Sequence, residues 1–187
     1  MKVILASNSP RRKQLLEQIG IDFEVIVSDV DESKVVSESV DKYVEKLAYM
    51  KAKDVYDKLN YDKIVIGSDT VVAFNGEVLG KPINENNAFE MLKMLQGNIC
   101  EVLTGLCVIS SKNNKEYITH DKCRVYIQNM TDEEIWEYIK TGEPMDKAGA
   151  FAIQGIGGRY ISKIEGDYYS VVGLPINKLY NILKKEV

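Results

Sequence analysis

Apolar positions follow two rhythms along this chain. Mostly apolar runs of strand length fall at 2–6 (KVILA) and 64–74 (IVIGSDTVVAF), the second interrupted by GSDT at 67–70. Elsewhere apolar residues recur every three or four positions. Leu15, Leu16 and Ile19 form one such stripe, and Val44, Leu47, Ala48 and Val55 another within 41–59, each the inner face of a helix. Ser9 and Pro10 suit the N-cap and first position of the earlier helix, and Gly20 its end. Further strands are expected at 23–27, 77–79, 101–110, 116–126 and 160–164. Further helices are expected at 85–95, through EEIWEYI behind a Thr131/Glu134 capping box, and at 175–185. Asn75-Gly76 reads as a tight hairpin turn, and SKNNK joins 101–110 to 116–126. Helices and strands alternate, with hairpins inserted. The expected class is α/β with a mixed sheet, not a purely parallel doubly wound one. No repeat or low-complexity linker divides the chain, so 1–187 is expected to be one domain.

Four polar insertions in this apolar frame are candidates for chemistry. The first, Ser7-Asn8-Ser9-Pro10-Arg11-Arg12, runs from a strand end into a helix start. That helix end is the positive pole of the macrodipole, so Arg11, Arg12 and Lys13 are each disfavoured there by roughly a few tenths of a kcal/mol. An anion held by backbone N–H groups and guanidiniums would offset that cost; a solvated basic helix end is the plainer alternative. The second is Asp69, an acid in the middle of an apolar strand, costly to bury unless it is paired or binds metal. The third is Lys81 in LGKP, a loop lysine able to meet phosphate as a point charge; it lies in no Walker A loop. The fourth is TGEPMDKAGAFAIQGIGGRY, a long glycine-rich stretch too apolar for disorder, in which Gln154 has both a donor and an acceptor for a base edge. Asp31, Glu32 and the helix lysine Lys51 are charged neighbours that join this set or remain solvated surface.

Composition narrows the classes. With 45% apolar and 28% charged residues the sequence is that of an ordinary globular protein. A net charge of −4 argues against a nucleic-acid coating protein, so any phosphate ligand needs a local basic cluster. Cys100, Cys107 and Cys123 are too few and oddly numbered for a disulfide framework and read as packed thiols of a reducing compartment. His120 is the single histidine, so acid–base chemistry is expected to rest on carboxylates. No run approaches the ~20 apolar residues of a membrane span, and the opening segment reads as a strand rather than a signal peptide. A cytoplasmic location, without a membrane or nucleic-acid partner, is the expectation.

The order of these motifs closely resembles the Maf family, the septum-formation-inhibitor-like nucleoside triphosphate pyrophosphatases. LASNSPRR, VDES, LAYMKA, IGSDTVV, LGKP, LTGLCV, YIKTGEPMDKAGAFAIQGIGG and VVGLPI carry the resemblance nearly end to end. One departure is SESVDKYV ahead of LAYMKA, where many members carry a proline. The resemblance implies a two-lobed fold related to the inosine triphosphatases, with the active cleft between the lobes. It implies hydrolysis of a nucleotide's α–β phosphoanhydride with a divalent metal, Mg²⁺ or Mn²⁺. Asp69 falls on the catalytic acid. Ser7, Arg12, Lys51 and Lys81 fall on phosphate-handling positions, and Glu32 joins Asp69 toward the metal. Arg11, Thr70 and Gln154 fall on the positions that track substrate, in the combination of the dTTP/UTP branch. Homodimerisation is a family-level expectation. The alternatives are a purine (ITP/XTP) pyrophosphatase and a non-catalytic, nucleotide-responsive regulator of septum formation.

Overall fold

The computed structural model describes residues 1–186. Strand β1 (Lys2–Leu5) lies parallel to β2 (Glu24–Val25) and to β3 (Lys63–Phe74), with Ile4 opposite Glu24 on one side and Val65 on the other. Strand β4 (Glu77–Leu79) folds back antiparallel on β3 over Asn75 and Gly76, whose φ values of 51° and 83° are those of a tight hairpin turn. With β5 (Ile99–Ser110), β6 (Lys115–Ile127) and β7 (Ile161–Glu165), the described residues form a mixed sheet ordered β2-β1-β3-β5-β6-β7, β4 pairing with β3. The helices are α1 (Pro10–Gln18), α2 (Val40–Asp57), α3 (Glu85–Leu95), α4 (Asp132–Lys140), α5 (Tyr168–Val172) and α6 (Ile176–Glu186). The mixed α/β class expected from the alternation is the one found.

The differences from the sequence pattern have local causes. The polar 67–70 stretch does not interrupt β3, which is extended throughout its 12 residues because Ser68 and Asp69 find partners inside the fold. β2 shrinks to two residues, both solvent-exposed. The glycine-rich stretch is ordered into short 3-10 turns at Glu143–Asp146, Ala148–Ala150 and Ile156–Tyr160. Helix α5 is too short for its pattern to show a helical period. Ser9 occupies the N-cap position of α1, yet its side chain makes no capping bond.

The chain divides into two compact units. The first comprises Met1–Asp69, Thr104–Asp121 and the residues from Gly173 on; the second comprises Thr70–Leu103 and Lys122–Val172. In the second, α3 starts at an Asn84 side chain that accepts the Asn87 N–H at 2.8 Å, and α4 starts at the predicted capping box. Leu92, Leu95, Val125, Ile135, Tyr138 and Phe151 build its core. Burial pushes the Cys100 thiol up to about 12, and Cys107 in the first unit likewise, so both are packing groups at neutral pH.

In the first unit Ile4, Ala48, Ala52, Val55, Val65 and Ile109 share a core. Two glycines let α2 lie directly on the strands beneath it. A Cβ on Gly67 would overlap the Ala48 carbonyl oxygen, and one on Gly105 the Val44 carbonyl oxygen. Backbone therefore meets backbone along α2, and a residue one turn beyond Ala48 is carried close to β3. Gly67→Ala is expected to cost about 1–3 kcal/mol through overpacking, read as a lower midpoint in urea unfolding.

Candidate active site

Two loops, strand β3 and helix α2 contribute residues at the carboxyl end of the parallel strands. Ser7 stands two residues past β1, Glu32 opens the 3-10 turn Glu32–Lys34 after β2, and Asp69 lies three residues past Ile66, where the β1–β3 pairing stops. This is where open α/β sheets carry their ligands.

Lys51 arrives from α2. Its Nζ is 2.6 Å from Asp69 Oδ1 and 2.7 Å from Glu32 Oε1. The Lys51 and Asp69 side chains keep only 11% and 10% of their exposure, whereas Glu32 retains 52%. A buried acid thus pairs with a buried lysine, and a second, half-exposed acid reaches the same lysine from the solvent side. Such a pair is costly to desolvate and costlier to break, because either partner left alone is an uncompensated buried charge.

Arg12, in the first turn of α1, is buried and pinned at two points. Its Nε donates to the Gly173 carbonyl at 2.9 Å and its Nη1 to Ser7 Oγ at 3.0 Å. Ser7 Oγ also accepts the Ser9 N–H at 3.2 Å. With two donors arriving, the Ser7 hydroxyl still has its own proton to donate. The Gly173 carbonyl further receives the Ser68 hydroxyl at 3.2 Å, whose nearer acceptor is the Gly105 carbonyl at 2.8 Å. Burial draws the Arg12 guanidinium below its ordinary value; the charges of Asp69 and Glu32 oppose that pull, and Arg11 beside it adds to it. The first turn of α1 contains no acid, so its N–H groups, Arg11 and Arg12 present one positive surface.

Of the residues singled out in the sequence, Ser7, Arg12, Glu32, Lys51 and Asp69 are brought together in the first unit, with the half-buried Arg11 next to Arg12 on α1. Thr70, Lys81 and Gln154 belong to the second unit. Thr70 follows Asp69 along β3. Lys81 is exposed in the loop after β4, and that loop is tied to the 147–150 turn by the Gly149 N–H donating to the Gly80 carbonyl at 3.0 Å. Gln154 is half-buried just before the turn Ile156–Tyr160.

Sequence reasoning missed four contributors. Tyr43, two turns ahead of Lys51 on α2, has its phenol pushed up by burial and then by the charges of Asp69 and Glu32, which marks it as a neighbour of the carboxylates. Ser68 and Gly173 fix Arg12 through a shared carbonyl, and Glu143 binds the backbone beyond Gln154. For Tyr43 the helical offset from Lys51 was the available signal; the others depend on long-range contacts that no local pattern announces.

Among the described residues no group of three or more His, Cys, Asp or Glu side chains gathers into a metal cage. The donor set at this site is two carboxylates on a shared lysine. That set fits a hard divalent cation completed by substrate phosphates and water, the usual manner of Mg²⁺ binding, rather than an all-protein cage.

The same fold occurs in two solved structures. The Staphylococcus aureus Ham1 protein matches over 100% of both chains with a TM-score of 0.53 at 19% identity. A HAM1 protein from Coxiella burnetii matches over 99% of both with a TM-score of 0.51 at 12% identity. Residues 2–186 match the family described as Maf-like protein. Two curated relatives carry the name dTTP/UTP pyrophosphatase. One, from Clostridium novyi, is 54% identical over 97% of this chain and 96% of its own length; the other, from Thermoanaerobacter sp., is 50% identical over 100% and 97%. The chain belongs to the Maf-like protein family.

Lys51→Met, which leaves Asp69 buried without its cation, is expected to cost about 3–5 kcal/mol. Adding Asp69→Asn should recover part of that loss in a denaturant double-mutant cycle; additive losses would mean the pair is not coupled.

Proposed function

We propose that this chain hydrolyses dTTP and UTP at the α–β phosphoanhydride, releasing the nucleoside monophosphate and pyrophosphate. Full-length relatives about 50% identical bear that activity in their names, and this observation carries the reading. The geometry of the first unit supports it chemically: positive groups for phosphates, a buried acid, and a second acid at the same lysine.

In this reading the triphosphate lies across the N-terminus of α1, where backbone N–H groups, the Ser7 hydroxyl and Arg11–Arg12 receive its oxygens. Asp69, with Oδ1 on Lys51, orients a water and accepts its proton as the water oxygen attacks the α-phosphorus; the bridging oxygen leaves with pyrophosphate. Arg12, Lys51 and Lys81 stabilise the charge that grows on the transferring and leaving groups, where most catalysis of phosphoryl transfer arises. Asp69 and Glu32 would hold a divalent cation, Mg²⁺ or Mn²⁺, which would supply further charge neutralisation. Thr70, Arg11 and Gln154 select the base and sugar, with Gln154 pairing to the O4/N3 edge of uracil or thymine. The whole of 1–187 acts as one pyrophosphatase domain in the cytoplasm. No helix among the described residues is long and apolar enough to cross a membrane.

A nucleotide panel with Mg²⁺ or Mn²⁺, separating pyrophosphate from orthophosphate, tests this. Pyrophosphate from dTTP and UTP, with little from purines, is expected, and Asp69→Asn should lower kcat by at least about a hundredfold. Purine turnover would overturn the specificity; no turnover of any nucleotide would overturn the reaction.

A further inference from the structure

We propose that Glu143 is a positioning residue for substrate selection, holding the loop that carries Gln154 in its base-reading shape. The inference rests on the reading of Gln154 given above.

Glu143 lies just past α4, after Gly142 at φ 76°. Its Oε1 accepts the Tyr138 hydroxyl at 2.8 Å and the Gly157 N–H at 2.8 Å; its Oε2 accepts the Ile156 N–H at 2.9 Å. One carboxylate therefore joins a fully buried tyrosine of α4 to the backbone two and three residues beyond Gln154. Gly155, between them, has φ 85° and ψ −152°, and a Cβ there would overlap Glu143 Oε2. The loop is so close to the carboxylate that only glycine fits, and in a conformation only glycine adopts readily. A Cβ on Gly157 would likewise overlap the Tyr138 hydroxyl.

Three donors converge on two oxygens, so the ionised form is required. Burial works against that charge. It is outweighed by the bonds from the Gly157 and Ile156 N–H groups and the Tyr138 hydroxyl, and by the Lys147 ammonium, so the carboxyl lies below its ordinary value. Lys147 Nζ also donates to the Glu143 carbonyl at 3.4 Å and pairs with Asp146, the other acid nearby. Burial and the Glu143 charge push the Tyr138 phenol up, so it stays a neutral donor. A loop fixed in this way presents Gln154 already aimed. A loose loop would pay the ordering cost on every encounter and discriminate less between bases.

Glu143→Gln isolates this role. Whichever way the amide turns, its NH₂ faces one of the two backbone N–H groups, so one of them loses its acceptor. The experiment measures kcat and KM for UTP, dTTP, GTP and ITP in wild type, Glu143→Gln, Glu143→Asp and Tyr138→Phe, with thermal unfolding of each. The expected result for Glu143→Gln is about a tenfold fall in the pyrimidine-over-purine ratio of kcat/KM, arising from a higher KM for pyrimidines while kcat for UTP changes little. Glu143→Asp, which keeps both acceptor oxygens, should retain more of the ratio, and Tyr138→Phe should lower it in the same direction by less. The lowered carboxyl value adds a second readout. Its stabilisation is full above the ordinary glutamate value of 4.5 and is lost as pH falls through the folded value below that, so the stability gap between wild type and Glu143→Gln should close only in that acid range. A folded Glu143→Gln with an unchanged ratio, or equal losses on all four nucleotides, would overturn the proposal. Should Glu143→Gln fail to fold, an unchanged ratio in Tyr138→Phe and Glu143→Asp would overturn it instead. A wild type without pyrimidine preference would overturn the proposed function itself, which separates the two failures.

Discussion

The ammonium of Lys51 is the constraint around which the first unit is arranged. Asp69 is tolerable within an apolar strand only because a cation stands 2.6 Å away, and that cation is tolerable under α2 only because the carboxylate is there. The pair dictates how closely helix and strand approach. Gly67 and Gly105 answer that demand, since any side chain at either position would lift α2 off the sheet. Glu32 adds negative charge to the same ammonium from the solvent side, so the cluster carries one more negative charge than Lys51 neutralises.

Arg12 supplies the complementary charge by different means. The Gly173 carbonyl and the Ser7 hydroxyl fix where its guanidinium sits. The hydroxyl that receives it also receives a backbone N–H, and so keeps its own proton to donate. An arginine at the positive end of a helix is unfavourable taken alone. Here the unfavourable placement gathers dipole, guanidinium and hydroxyl into one anion-seeking surface.

Much of this was readable from sequence because it is local. Helices with clear stripes, the Asn-Gly hairpin and the capping box at Thr131 and Glu134 depend on residues within a few positions of one another, and each is found. Asp69 was conspicuous because an acid breaks an apolar run, and its chemical need for a partner was predictable even though the partner was not. Ser9 shows the limit of such reasoning. Its type and position favour a cap, yet its side chain makes no capping bond. Ser68, Gly173 and Glu143 were illegible for another reason: their bonds span up to 161 residues of chain or depend on glycine conformations that become meaningful only once the loop is folded. The proposed selecting role of Arg11, Thr70 and Gln154 came from the family resemblance; local chemistry marked Arg11 as a basic residue at a helix N-terminus and Gln154 as an amide in a glycine-rich loop, without assigning either a substrate.

The carbonyl of Gly173 ties the beginning of the chain to its far region, and this bears on how the protein is made. The first unit is assembled from three separated stretches, the last of which starts at Gly173. During synthesis, α1 and its arginines leave the ribosome early, while the oxygen that holds Arg12 is translated much later. Until then the guanidinium can bond Ser7 nearby but lacks the brace from Gly173. The bond that fixes Arg12 Nε therefore forms only once translation has passed Gly173.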